Sequence, residues 1–114
     1  MPDKYPFKEV VEKEFRERLK NKGWLLVDLF GHSCAPCTSR DAEKNVVNEL
    51  QNYQPPIESL RMDVEKGEGL LEEFQINGIP TLILFKDGRR RGQFVDIPDE
   101  DGQNVLDWLK AELT

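Results

Sequence analysis

The sequence predicts an α/β fold, with a central mixed β-sheet flanked by helices on both faces. Three observations carry this reading. Residues Trp24 to Phe30 read W-L-L-V-D-L-F, an apolar run of strand length that suits a strand buried on both faces. Segments with apolar residues at helical spacing alternate along the chain with further short apolar runs. Near the end, two such runs flank Lys86-Asp87-Gly88, which reads as a hairpin turn.

In chain order, Phe7, Val10, Val11, Phe15 and Leu19 recur at three- and four-residue spacing, so a first amphipathic helix is expected from about Phe7 to Asn21, with Gly23 as its stop. The strand Trp24 to Phe30 follows, then a short loop from Gly31 to Ser33. Pro36 suits the first turn of a second helix, where its missing N–H would have been unpaired anyway. Ala42, Val46, Leu50 and Tyr53 continue one face of that helix, and Pro55-Pro56 ends it. Leu60, Met62 and Val64 alternate with polar residues in a strand near Ile57 to Val64. Glu65 to Gly69 is a loop, Leu70, Leu71 and Phe74 a short helix, and Asn77-Gly78 its break. Thr81 to Phe85 and Gln93 to Ile97 are the two hairpin strands. The last helix is expected to start at Pro98 and Asp99, with Val105, Leu106, Leu109 and Leu113 lining one face. Strands separated by helices are expected to run parallel with right-handed crossovers, and the final hairpin to add an antiparallel edge.

The 114 residues suffice for one domain with one core, so residues 1–114 are read as a single domain with 1–6 a loose lead-in. The formal charge of −6 argues against nucleic acid and against an anionic membrane surface. Arg89-Arg90-Arg91 is the one basic cluster, and beside Lys86-Asp87-Gly88 it reads as a solvated hairpin turn. Both cysteines lie in one C-x-x-C, unlike a secreted disulfide scaffold. Met1 to Lys22 has no apolar core of a signal peptide, and no segment approaches a membrane span. The expected location is the cytoplasm, and the expected state a monomer.

Chemistry concentrates in Cys34-Ala35-Pro36-Cys37. A strand, a tight loop and a helix put Cys34 at a helix N-terminus, where unpaired N–H groups favour the thiolate that attacks disulfides. Cys37, one turn along, is the resolving thiol. The competing reading is a pair of inert or metal-binding cysteines. Zinc wants four ligands in a structural site, and beyond these cysteines only His32 exists. His32 reads as a solvated loop histidine, and no metal or organic cofactor is expected. Asp28 is the odd residue in its strand; if buried it keeps its proton and suits proton exchange with Cys37, and otherwise it faces solvent. Pro80 starts a strand in trans or turns the chain in cis. The remaining helical glutamates and lysines read as solvated faces.

Together these residues resemble the thioredoxin family, from about Trp24 to the C-terminus. Val27-Asp28 is similar to the family's buried aspartate, Cys34-Ala35-Pro36-Cys37 to its redox motif, and Gly78 to Gly88 (G-I-P-T-L-I-L-F-K-D-G) to its cis-proline strand and turn. The resemblance implies a thioredoxin fold and a cis Pro80. It implies dithiol–disulfide exchange on protein substrates, with Ala35, Pro36, Ile79 and Pro80 in the substrate contact and Ile79 pairing its backbone with the substrate. A dithiol donor such as a thioredoxin reductase is the implied electron source. The chain departs from the family at Ser33, where tryptophan is usual, and at Ala35, where glycine is usual. Phe30 replaces another tryptophan, Ser59 aligns with a lysine near the buried aspartate, and Asp96 aligns with a glycine near the redox motif. Ser33 and Asp96 are therefore candidate tuning residues. The expected activity is reduction of protein disulfides. An oxidase or isomerase on the same fold, or a binding module whose disulfide is incidental, are the alternatives.

Overall fold

The computed structural model describes residues 6–31, 40–65 and 69–114. The elements are β1 (Lys8–Glu9), α1 (Glu12–Leu19), β2 (Trp24–Phe30), α2 (Arg40–Leu50), β3 (Glu58–Asp63), α3 (Leu70–Glu73), β4 (Thr81–Lys86), β5 (Arg89–Phe94) and α4 (Gln103–Leu113). The sheet order is β1-β3-β2-β4-β5, which puts β2 at the centre. The expected α/β architecture with a mixed sheet is the one observed.

Strand parity sorts the core into two layers. Leu25, Val27 and Leu29 of β2 join Leu60 and Met62 of β3, Ile83 and Phe85 of β4, Phe15 and Leu70 on one face. Phe15, Phe74 and Phe85 meet there with ring centroids 5.8–5.9 Å apart. Leu26 joins Leu82, Leu84, Val46, Leu50, Val105 and Leu109 on the other face, under α2 and α4. Residues 28 and 30 share the parity of Leu26, and Arg61 has the opposite parity to Leu60 and Met62. Asp28, Phe30 and Arg61 therefore belong to the face that α2 and α4 cover.

Four expectations are corrected. The first helix begins at Glu12, not Phe7. Residues Lys8 and Glu9 pair in parallel with Leu60 and Arg61, and Val10 donates its N–H to the Arg61 carbonyl at 2.9 Å. Phe7 and Val10 pack on opposite faces of the sheet, as residues of opposite parity in an extended segment do. Val11 caps the helix and is exposed.

Second, β4 follows a helix yet runs antiparallel to β2, while β2 and β3 are parallel. The four residues of α3 rise only about 6 Å. A six-residue strand runs about 20 Å. α3 alone does not span the sheet, and β4 re-enters at the end where β3 left.

Third, β5 begins at Arg89 rather than Gln93. Asp87 and Gly88 both have positive φ (53° and 82°), so the two-residue turn closes at once and Arg89 already pairs with Lys86. The three arginines lie on an edge strand, bulged opposite Leu84 and Phe85, not in the turn. Charges and a bulge on an edge discourage pairing with other chains.

Fourth, α4 starts at Gln103 instead of Pro98. Gly102, at φ 75°, interrupts helical geometry, and its N–H closes a turn onto the Asp99 carbonyl at 2.9 Å. Pro36, expected in the first turn of α2, lies outside the described residues. Among the described residues no helix is long and apolar enough to cross a membrane.

The hairpin turn is tied to the sheet's other end: Gly23 N–H donates to Asp87 Oδ1 at 2.7 Å, and Asp87 N–H to the Gly23 carbonyl at 2.9 Å. A methyl group at Gly88 would run into the Leu19 carbonyl oxygen. Gly88→Ala is expected to lower stability by about 1–2 kcal/mol from the left-handed backbone alone, and more from the clash. A urea melt checks this, and an unchanged midpoint would refute it.

Candidate active site

The site begins where the central strand ends. β2 runs to Phe30 and Gly31, and β4 starts beside that end, with Thr81 in register with Leu29. Pro80 is buried immediately before Thr81, and the Ile79–Pro80 bond is cis, as the resemblance implied. Thr81 Oγ1 donates to the Gly78 carbonyl at 2.7 Å, fastening the turn into the strand. Ile79 is half-buried at the sheet's end. A second cis bond, Gln54–Pro55, lies beyond the C-terminus of α2 and was not anticipated.

Residues 32–39 lie between Gly31 and the described start of α2. His32, Ser33, Cys34, Ala35, Pro36 and Cys37 are thus outside the described residues, so their expected roles are carried by the sequence alone. Asp96 lies two residues past β5, is exposed, and accepts the Ile97 N–H through Oδ1 at 2.8 Å. Its expected approach to Cys34 falls outside the described residues.

Asp28 is buried, at 5% exposure, which rules out the solvent-facing alternative. Burial pushes its carboxyl up to about 8, the Glu43 carboxylate adds to that, and the Arg61 guanidinium opposes both. Arg61 faces Asp28 in the β2–β3 ladder and is 2% exposed. Its guanidinium carbon sits 3.9 Å from the Phe30 ring centroid, so the cation is held against an aromatic face. Ser59, which aligned with the family's lysine, pairs instead with Leu26. The cation opposite Asp28 is supplied two residues further along the same face of β3.

Glu43 corrects the reading of helical glutamates as solvated. It is 6% exposed. Its Oε1 accepts the Phe7 N–H at 3.0 Å, and its Oε2 lies 3.9 Å from Arg61 Nε. Burial raises its carboxyl to about 7, against the pull of the Phe7 N–H and the Arg61 charge. Glu43 and Arg61 were both missed from sequence. The signal was present for Glu43: it stands three residues before Val46 and seven before Leu50, on the helix's apolar face. Among the described residues no group of three or more His, Cys, Asp or Glu side chains could hold a metal ion.

This arrangement can hold one carboxyl in its protonated form beneath the end of β2 and exchange that proton near neutrality. A sequence profile of the thioredoxin family matches residues 6–111. The thioredoxin of Staphylococcus haemolyticus is 33% identical over 101 residues, covering 87% of this chain and 93% of its own. That of Chlamydia trachomatis is 30% identical over 92 residues, covering 81% and 86%. Mitochondrial thioredoxin 3 of Saccharomyces cerevisiae superposes with a TM-score of 0.68 at 22% identity, over 92% of this chain and 94% of that one. With the fold, the buried aspartate and the cis proline in place, the chain belongs to the thioredoxin family, whose members are thiol–disulfide oxidoreductases.

Proposed function

We propose that this protein reduces disulfides in other proteins through a Cys34/Cys37 dithiol. The observation that carries the reading is Asp28: a carboxyl buried in the central strand, six residues before Cys34, which burial pushes up to about 8 so that it can exchange a proton near neutrality. A buried acid with a raised pKa has a use in proton transfer that it lacks in packing. The Cys34 thiolate attacks one sulfur of the substrate disulfide and releases the other as a thiolate. Cys37 then gives its proton to ionised Asp28, and its sulfur attacks Cys34. The Cys34–substrate bond breaks, the second substrate sulfur leaves with the bonding electrons, and a Cys34–Cys37 disulfide remains. Ala35, Pro36, Ile79 and Pro80 form the substrate contact, with the Ile79 backbone pairing to the substrate strand. Ser33 and Asp96 tune the attacking thiol. A dithiol donor such as a thioredoxin reductase returns the protein to its reduced form. The working compartment is the cytoplasm, whose thiols are kept reduced.

Insulin reduction, followed by turbidity with a dithiol donor, tests the activity. Cys34→Ser is expected to bring it to background. Cys37→Ser is expected to stall at mixed disulfides, visible as adducts on non-reducing gels. An active Cys34→Ser protein would overturn the role given to Cys34. An oxidase would reveal itself by a strongly oxidising reduction potential.

Asp28→Asn is expected to slow resolution by Cys37 on the order of 100-fold while leaving the first attack less affected. It also makes a stability prediction with a definite sign. The Asp28 pKa is raised in the folded protein, from an ordinary 3.8 to about 8. Its stabilising contribution is therefore complete below the unfolded value and is lost as pH rises toward the folded one. Asp28→Asn mimics the protonated acid and escapes that loss. It should stabilise the fold on the order of a few kcal/mol at neutral pH, and the gain should vanish near pH 4. Denaturant melts across this range decide it; a pH-independent difference would refute it.

A further inference from the structure

Glu43 has no part in the exchange steps above, yet it is buried beside the group that does. Glu43 comes from α2, Asp28 from β2 and Arg61 from β3, and all three are at most 6% exposed. Asp28 and Glu43 line the same small cavity of about 20 Å3, room for one water, whose remaining walls are apolar. Among the described residues, the rest of that wall is Phe7, Ala42, Val46, Leu82, Pro98 and Val105, so β4 and the α4 side bring no titratable group to it. The Phe7 N–H fixes one oxygen of Glu43, and the other is turned toward Arg61. Two buried carboxylates beside one cation cannot both ionise cheaply; one proton and one negative charge between them balance the guanidinium.

We propose that Glu43 is a positioning residue that acts through Asp28: the two carboxyls share one proton across the cavity, and Glu43 holds it when Asp28 must be ionised. The proposal rests on the reading that Cys37 gives its proton to Asp28. In the resting pair the proton passes from Asp28 to Glu43, leaving the Asp28 carboxylate as the base. Asp28 takes the Cys37 thiol proton as the Cys37 sulfur attacks. The pair then carries two protons and returns one to solvent, restoring a single negative charge opposite Arg61. Glu43 makes or breaks no bond in these steps; it sets the pH range over which Asp28 can act.

The test follows the side-chain carboxyl carbons of the oxidised protein by NMR through a pH titration. In the unaltered protein, Asp28 should titrate in two steps, both shared with Glu43. In Glu43→Gln, whose amide oxygen can still accept the Phe7 N–H, Asp28 should titrate in one step. Its midpoint should fall by roughly one pH unit or more once the neighbouring charge is gone. The acid limb of the resolution rate should move down with it, while the rate of first attack stays unchanged. A single-step Asp28 curve in the unaltered protein, which needs no variant to fold, would overturn the proposal. So would an Asp28 midpoint or resolution profile that ignores Glu43→Gln. If insulin is reduced but the carboxyls titrate independently, Glu43 alone loses its role. If the carboxyls are coupled but insulin is not reduced, the exchange reading fails and takes the role of Glu43 with it.

Discussion

The structure depends on one constraint: β2 is covered on both faces. From Leu25 to Phe30 every residue is buried. A strand so placed has no solvent face for polar side chains, so any polar residue in it needs a partner inside the protein or must stay neutral. Asp28 is that residue. Once it is fixed at the centre of the sheet, the elements that cover it decide its chemistry. The ladder brings Arg61 opposite, and α2 brings Glu43 from above.

The same constraint explains why the site sits at one end of the sheet. Backbone groups leaving a strand buried on both faces become accessible only past its ends. β4 re-enters at the end where β2 and β3 stop, so Pro80 and Gly31 share one end of the sheet. The opposite end is closed by the hairpin turn bonded to Gly23. Two ends of one sheet thus take separate tasks, one holding the chain's geometry and one presenting its chemistry.

What could be read in advance follows from whether a signal is local. The limits of β2 were legible, because a continuous apolar run of strand length suits a doubly covered strand and little else. The hairpin turn was legible from Lys86-Asp87-Gly88, whereas the residues left Pro80 open between cis and trans and only the resemblance implied cis. The N-terminal segment was not: the spacing of Phe7, Val10, Phe15 and Leu19 fits one helix as well as a short strand leading into one. Only the distant Arg61 carbonyl, which accepts the Val10 N–H, decides between them. Arg61 itself was hidden because alternation marks the polar side of a strand without saying whether a helix covers it. Glu43 was overlooked because its charge was weighed above its position on the helix.

Such a buried trio is weak as a stabilising device, since desolvating three ionisable groups offsets much of what their mutual attraction returns. The long 3.9 Å approach of Arg61 to Glu43 fits that view, being an ion pair without a hydrogen bond's geometry. An apolar trio of similar volume would pack the same space with less desolvation. Local rules broken in a core without a gain in stability are expected where function requires them. The positive charge near the buried aspartate is Arg61, directly opposite Asp28 and against the Phe30 ring. A guanidinium keeps its charge when buried, where a lysine would tend to lose its proton. A permanent cation beside two carboxyls keeps the number of charges in the core constant while the protons move between them. In the proposed sharing, passing the proton between Asp28 and Glu43 leaves the trio's charge unchanged, and only the two-proton state after transfer from Cys37 unbalances Arg61 until one proton leaves.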